Sequence, residues 1–372
     1  MTGEDYSAVK TALNSAITTA SGVYNKSDAT KTEVNNAFTA LDTALTVAQN
    51  TKAVIDAIKA LPASDNVKTT DRTAIEQALT DYNALSSGAQ LNIPDSLRSK
   101  LTLCITAVDK ADFNAYKADQ KTTAGNMAQE SDSQAATALI TDAKNAIEAL
   151  TYDTSKTLAQ NKSAVDVVIT QLTTDLANQR AADPVIAQIN ALPATDAITS
   201  ANKDAIEAAR GAYNALNNAQ KAKVPTDKVQ KLTDAEAALK EAIDTETANG
   251  VSALIDLLPE ANNVTTADKT DIEAARKAYN DLTNDQKAKV STDTLKKLTD
   301  AEDSLAAAEV SDKINALPAT SDVTTANKTA IEAARKAYND LTNAQKAYVS
   351  NDTLNKLTDT ENALAADRKS VV

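Results

Sequence analysis

The chain has 372 residues, 24% of them charged and 3% aromatic, with a formal net charge of −13; it is too long for one core and too acidic to favour phosphate backbones or anionic membrane surfaces. Histidine and tryptophan are absent, and the single cysteine, Cys104, permits no internal disulfide. A histidine-based nucleophilic triad and a Cys/His zinc site are therefore excluded, and six glycines and seven prolines are few breakers for this length.

The predicted elements begin with two helices over Asp5–Asn50. Tyr6, Val9, Leu13 and Ile17 make one apolar stripe, and Val34, Phe38, Leu41 and Leu45 make a second, with a break expected at Gly22–Ser27. The second stripe flows into Val54 and Ile58. There a different unit starts, over about Thr51–Asp112, which contains Cys104 in the apolar setting Leu101-Thr102-Leu103-Cys104-Ile105; a small buried hydrophobe is the expected role. From Phe113 to Arg180 the first kind of unit returns. Tyr116 comes early, then a helix with Leu139, Ile140, Ala143, Ile147 and Leu150, a break at Tyr152–Thr154, and a helix with Val165, Val168, Leu172 and Leu176.

The remainder is the second kind of unit three times over. Val264–Glu302 recurs at Val323–Glu361 with 32 of 39 positions identical, and looser copies start at Ile198 and Val67. Each copy opens with a short apolar helix that ends in Leu-Pro: Ile58–Pro62, Ile189–Pro193, Ile255–Pro259 and Ile314–Pro318. A polar loop leads to a longer helix that begins near Thr265 or Thr266 and is expected to reach Val290. In it Ile272, Ala275, Tyr279 and Leu282 share one face, with Asp268 in the first turn. In the first copy Leu79 stands in place of Arg276, and Gly88 is expected to interrupt the end of this helix. Ser291 caps a third helix carrying Leu295, Leu298, Ala301 and Leu305, and Pro225 replaces that serine in the second copy. Neither glycine nor proline separates Leu305 from Ile314. The third helix of one copy is thus expected to run into the first helix of the next.

The expected architecture is all-α, an elongated tandem array of three-helix bundles joined by shared continuous helices. Its units are 1–50, 51–112, 113–181, 182–247, 248–308 and 309–372.

Two segments carry a resemblance. Tyr6…Leu13-Asn14-Ser15-Ala16-Ile17…Ala20, followed by Val34-Asn35-Asn36-Ala37…Leu41-Asp42-Thr43-Ala44-Leu45, resembles FIVAR modules, the three-helix modules of large Gram-positive cell-surface proteins. Val165 to Leu176 is the counterpart in the second such unit. The other units resemble the helical repeats that alternate with FIVAR modules in extracellular-matrix-binding surface proteins. The resemblance implies a secreted, wall-attached stalk or adhesin region, and it supplies no catalytic residues.

No nucleophile–base pair, metal cluster, Gly-rich phosphate loop or EF-hand pattern is legible, so neither enzyme activity nor a cofactor is expected. No apolar run is long enough to span a membrane. The one repeated polar constellation is Arg210 with Tyr213, Arg276 with Tyr279, and Arg335 with Tyr338. Its structural reading is an i,i+3 stack at the edge of the core, and its functional reading is a protein-binding face. Gln220-Lys221 and Gln286-Lys287 read as capping and solubility residues. The expected protein is a monomer and a spacer, with any host or cell-surface partner held by a domain outside this stretch; a direct adhesin is the alternative. No signal peptide is visible after Met1, Asp367–Val372 carries no sorting motif, and both ends read as cuts in a longer polypeptide.

Overall fold

The computed structural model describes Gly3–Ser370, with side chains through Asp367; the readings of the two extreme ends, at Met1 and Val372, fall outside these residues. Among the described residues every regular element is helical, and no helix is long and apolar enough to cross a membrane. The chain divides into two compact units, Met1–Asp183 and Pro184–Val372.

In the first unit α1 (Ser7–Tyr24) and α2 (Lys31–Ala60) form a hairpin. Thr30 starts α2 through a reciprocal pair: the Glu33 carboxylate accepts from the Thr30 N–H at 2.8 Å and the Thr30 hydroxyl accepts from the Glu33 N–H at 3.2 Å. Gly22 lies inside α1, so the expected break moves to Asn25–Thr30. The chain continues through α3 (Arg72–Ala84), α4 (Ser87–Leu91), α5 (Asp95–Asn126) and α6 (Gln134–Ala149) into α7 (Leu158–Ala191). The α6–α7 connection is longer than the Tyr152–Thr154 break expected.

The long helices are used twice. Val54, Ile55 and Ile58 from the second half of α2 share a core with Ile75 and Ala78 of α3 and with Leu97, Leu101, Cys104 and Val108 from the first half of α5. The second half of α5 then offers Phe113 and Ala124 to Ile140 and Ile147 of α6 and to Val165, Leu172 and Leu176 of α7. Cys104 is buried as expected, its sulfur 3.5 Å from the Pro62 carbonyl, and burial pushes its thiol pKa up.

The second unit contains α8 (Lys203–Ala215), α9 (Asn218–Lys221), α10 (Thr226–Asp256), α11 (Lys269–Asp281), α12 (Asn284–Lys287), α13 (Thr292–Asn315), α14 (Lys328–Asp340), α15 (Asn343–Lys346) and α16 (Asn351–Ser370). As the missing breakers imply, α13 is continuous. Leu298, Ala301 and Leu305 enter the core that holds Val251, Ile255 and Ile272, whereas Val310 and Ile314 enter the core that holds Ile331 and Leu357. Burying a side chain such as Ile272 contributes about 2–3 kcal/mol.

The middle helix does not reach Val290. It ends at Asp281, where Leu282 turns extended (φ −63°, ψ 144°) and buries its side chain. Thr283 and Gln286 then start α12 by capping one another: the Gln286 side chain accepts from the Thr283 N–H at 3.0 Å, and the Thr283 hydroxyl accepts from the Gln286 N–H at 3.3 Å. Leu85, Leu216 and Leu341 make the same break in the other copies, so Gly88 is not its cause. The stretch reads as one helix by periodicity because Leu282 stays on the apolar face. Upstream, the Asp268 carboxylate accepts from the Thr265 N–H at 2.8 Å, and Asp71, Asn202 and Asn327 do the same job in their copies.

The apolar stripe of Val34, Phe38 and Leu45 is also not the core stripe expected. All three side chains are exposed, because only α1 packs along this half of α2.

Candidate functional site

The arginine–tyrosine constellation is built on the middle and third helices of each copy. Arg276 and Tyr279 lie one turn apart on α11, with the guanidinium carbon 5.5 Å from the ring centroid. The distance is 5.6 Å for Arg210 and Tyr213 on α8, and 5.7 Å for Arg335 and Tyr338 on α14. A lysine approaches each ring from the short helix that follows. Lys287 lies 5.7 Å from the Tyr279 centroid while its ammonium donates to the Asn280 carbonyl at 2.8 Å, and Lys221 and Lys346 repeat the arrangement. Each tyrosine thus lies at the core edge with two cations over its ring.

Each arginine also has a carboxylate partner on the third helix. Arg276 Nε and Nη2 donate to the two oxygens of Glu302 at 2.5 and 2.6 Å, and Nη2 lies 3.4 Å from the Thr299 hydroxyl. Arg210 grips Glu236 and Arg335 grips Glu361 with the same two-point geometry. The hydrogen bonds to Glu302 hold the Arg276 guanidinium above its ordinary pKa, and the other two arginines shift the same way through Glu236 and Glu361. About a quarter of the Arg276 side chain remains exposed, so solvent screens the pair and its net contribution is modest.

An open groove runs beside this cluster between α11 and α13. Its charged lining is paired across the groove: Lys269 reaches Glu309 at 2.8 Å, and Arg276 holds Glu302. Lys277 pairs with Asp281 at 2.6 Å along one wall. This differs from a ligand pocket, in which apolar walls surround a few convergent polar groups.

Sequence reasoning missed the glutamates. It also missed a lysine that closes the end of the preceding helix in every copy. Lys100 donates to the Lys59 and Leu61 carbonyls, Lys231 to Asn190 and Leu192, Lys297 to Asp256, and Lys356 to Asn315, at 2.6–3.0 Å. The signal for the glutamates lies in the repeat itself. In the first copy Leu79 takes the place of the arginine and Ile105 that of the glutamate, and both pack against the core. Reading the four copies against each other shows the two positions changing together.

Compared with family models, curated proteins and solved structures, the chain finds no match.

Proposed function

We propose that the chain is a non-catalytic stalk or spacer of a bacterial cell-surface protein, an elongated tandem array of helical modules that projects a binding domain away from the cell wall. The observation that carries this reading is the internal use of the most conspicuous polar cluster. Arg210, Arg276 and Arg335 are each committed to a glutamate of their own module, and the first copy replaces the pair by Leu79 and Ile105. A residue set that one copy exchanges for aliphatic side chains is framework. Near-identical neighbouring copies suit a spacer, which gains length by duplication and needs no distinct site. The extracellular, wall-attached setting rests on the resemblance of the Tyr6–Leu45 and Val165–Leu176 segments to FIVAR modules.

Small-angle scattering of the full chain tests the shape, and a rod-like distance distribution is expected. A compact, single-peaked profile would remove the stalk. The direct-adhesin alternative is tested by a pull-down from plasma and matrix extracts followed by titration. No specific partner tighter than about 10 μM is expected for the arginine–tyrosine face. A saturable complex lost in Arg276→Ala/Tyr279→Ala, with helicity kept, would move the function onto these repeats.

A further inference from the structure

The hairpin α1–α2 and the module α5–α6–α7 follow one sequence plan but are built to different completeness. Helices α2 and α7 align without a gap. Val34 corresponds to Val165, Phe38 to Ile169, Leu41 to Leu172 and Leu45 to Leu176, and downstream Val54 corresponds to Val185 and Ile58 to Ile189. Likewise Val9, Leu13, Ala16 and Ala20 of α1 repeat the spacing of Ala136, Ile140, Ala143 and Ile147 of α6.

The surroundings of the matched positions differ. Val165 and Leu176 are 0% and 2% exposed, whereas Val34 and Leu45 are 49% and 43% exposed. Ile169 packs against its core, and Phe38 is 71% exposed. The difference is one helix. In the complete module the second half of α5 puts Phe113 into the cluster with Val165 and Ile147, and Ala124 into the cluster with Leu172, Leu176 and Ala136. Nothing described occupies that place over α1 and α2.

We infer that the α1–α2 face is the seat of one amphipathic helix with the chemistry of Phe113–Ala124, contributed by an adjoining module of the same polypeptide that leads into α1 as α5 leads into α6. The complete module states what the occupant needs. A large aromatic corresponding to Phe113 fills the space beside Val34. A tyrosine one turn later corresponds to Tyr116, whose ring lies 5.2 Å from the Lys162 ammonium; Lys31 is already present at the matching position of α2. A lysine after it corresponds to Lys117, which donates to the Glu148 and Leu150 carbonyls at 2.8 and 2.7 Å and so closes α6. A small residue corresponding to Ala124 lets the backbone approach Leu41 and Leu45. The exposed stripe therefore has the register of a core position whose partner is missing. The inference is independent of the stalk reading, since any protein built from these modules would need the same closure.

The test uses the full chain in two forms. In one, a synthetic peptide of residues 108–130 of this sequence is titrated into the full chain. In the other, residues 108–130 are placed directly before Glu4, which restores the spacing by which α5 enters α6. Amide hydrogen exchange over α1 and the first half of α2 is the readout. The grafted chain should exchange at least about tenfold more slowly there than the unmodified chain, with residues 262–362 unchanged. Phe38→Asp, which alters an exposed side chain, should abolish the gain, as should Phe113→Ala/Tyr116→Ala made in the grafted copy. The peptide should show saturable one-to-one binding with the same dependence. Unchanged exchange in the grafted chain would overturn the inference, as would equal protection by the Phe113→Ala/Tyr116→Ala graft. Concentration-dependent dimerisation of the unmodified chain that Phe38→Asp abolishes would also overturn it, by assigning the face to a second copy.

Discussion

The first copy of the long repeat and the three later copies solve the same packing problem with opposite chemistry. Where α3 meets α5, Leu79 and Ile105 each pack against the core. Where α11 meets α13, Arg276 and Glu302 occupy the equivalent places with a two-point ion pair over Tyr279. The helices, the extended leucine that breaks them and the lysine that closes the preceding helix are the same in both. The position therefore requires that its space be filled and its charges balanced. An ion pair that is about a quarter to a third exposed gives up desolvation energy for modest attraction, and an aliphatic pair of similar volume can replace it without loss.

The largest expected effects lie in what the two regions share. Ala307→Pro interrupts α13, a helix that serves two cores, and should cost about 3 kcal/mol or more in denaturant unfolding. Ile75→Ala in the first copy and Ile272→Ala in the third should each cost about 2–4 kcal/mol, since both side chains are fully buried. A cost confined to one copy would break the equivalence of the two regions.

Smaller effects separate the regions. Leu79→Arg alone places an unpaired charge beside Ile105 and should cost about 1–2 kcal/mol, with most of the loss restored by adding Ile105→Glu. Glu302→Ile alone leaves Arg276 without its carboxylate and should cost about 1 kcal/mol, less in 1 M salt as the surviving charge is screened. Arg276→Leu combined with Glu302→Ile should lie within about 0.5 kcal/mol of wild type, and a double-mutant cycle reads the coupling directly.

The smallest effect is an acid dependence that bypasses the Leu79–Ile105 pair. Asp132 is held down to about 2 by the hydrogen bonds of Arg180, and Glu33 to about 2 by Lys26. Because both pKa values are lowered by folding, the stability they lend is complete above the ordinary carboxylate range near ~4 and is lost as the pH falls from there towards about 2. The chain has no histidine, so the thermal midpoint should be flat between pH 6 and 8. A transition inside that window would require a titrating group not accounted for in the fold.

The repeat, the apolar stripes and the continuity of α13 were legible because each is a local pattern. Leu305 to Ile314 contains no breaker, and Ile272, Ala275 and Tyr279 keep a helical period. The break at Leu282 was not legible from periodicity, since an extended residue that buries its leucine leaves the stripe intact; its signal was the Thr283…Gln286 capping pair. The exposure of Phe38 was not legible either. A stripe records which face seeks a partner, and whether the partner is present depends on a helix elsewhere in the chain. At the arginine–tyrosine site the i,i+3 stack was legible within one helix, whereas Glu302 lies on another helix and shows itself only by changing together with Arg276 across the copies.

The most direct measurement is the thermal unfolding of a chain in which all three ion pairs adopt the first copy's chemistry: Arg210→Leu, Glu236→Ile, Arg276→Leu, Glu302→Ile, Arg335→Leu and Glu361→Ile. If the cluster is framework, the variant keeps its helical circular-dichroism signal and unfolds within about 3 °C of wild type or above it. A fall of more than about 10 °C, or loss of the helical signal, would contradict that role and show that the arginine–glutamate–tyrosine cluster does something aliphatic packing cannot.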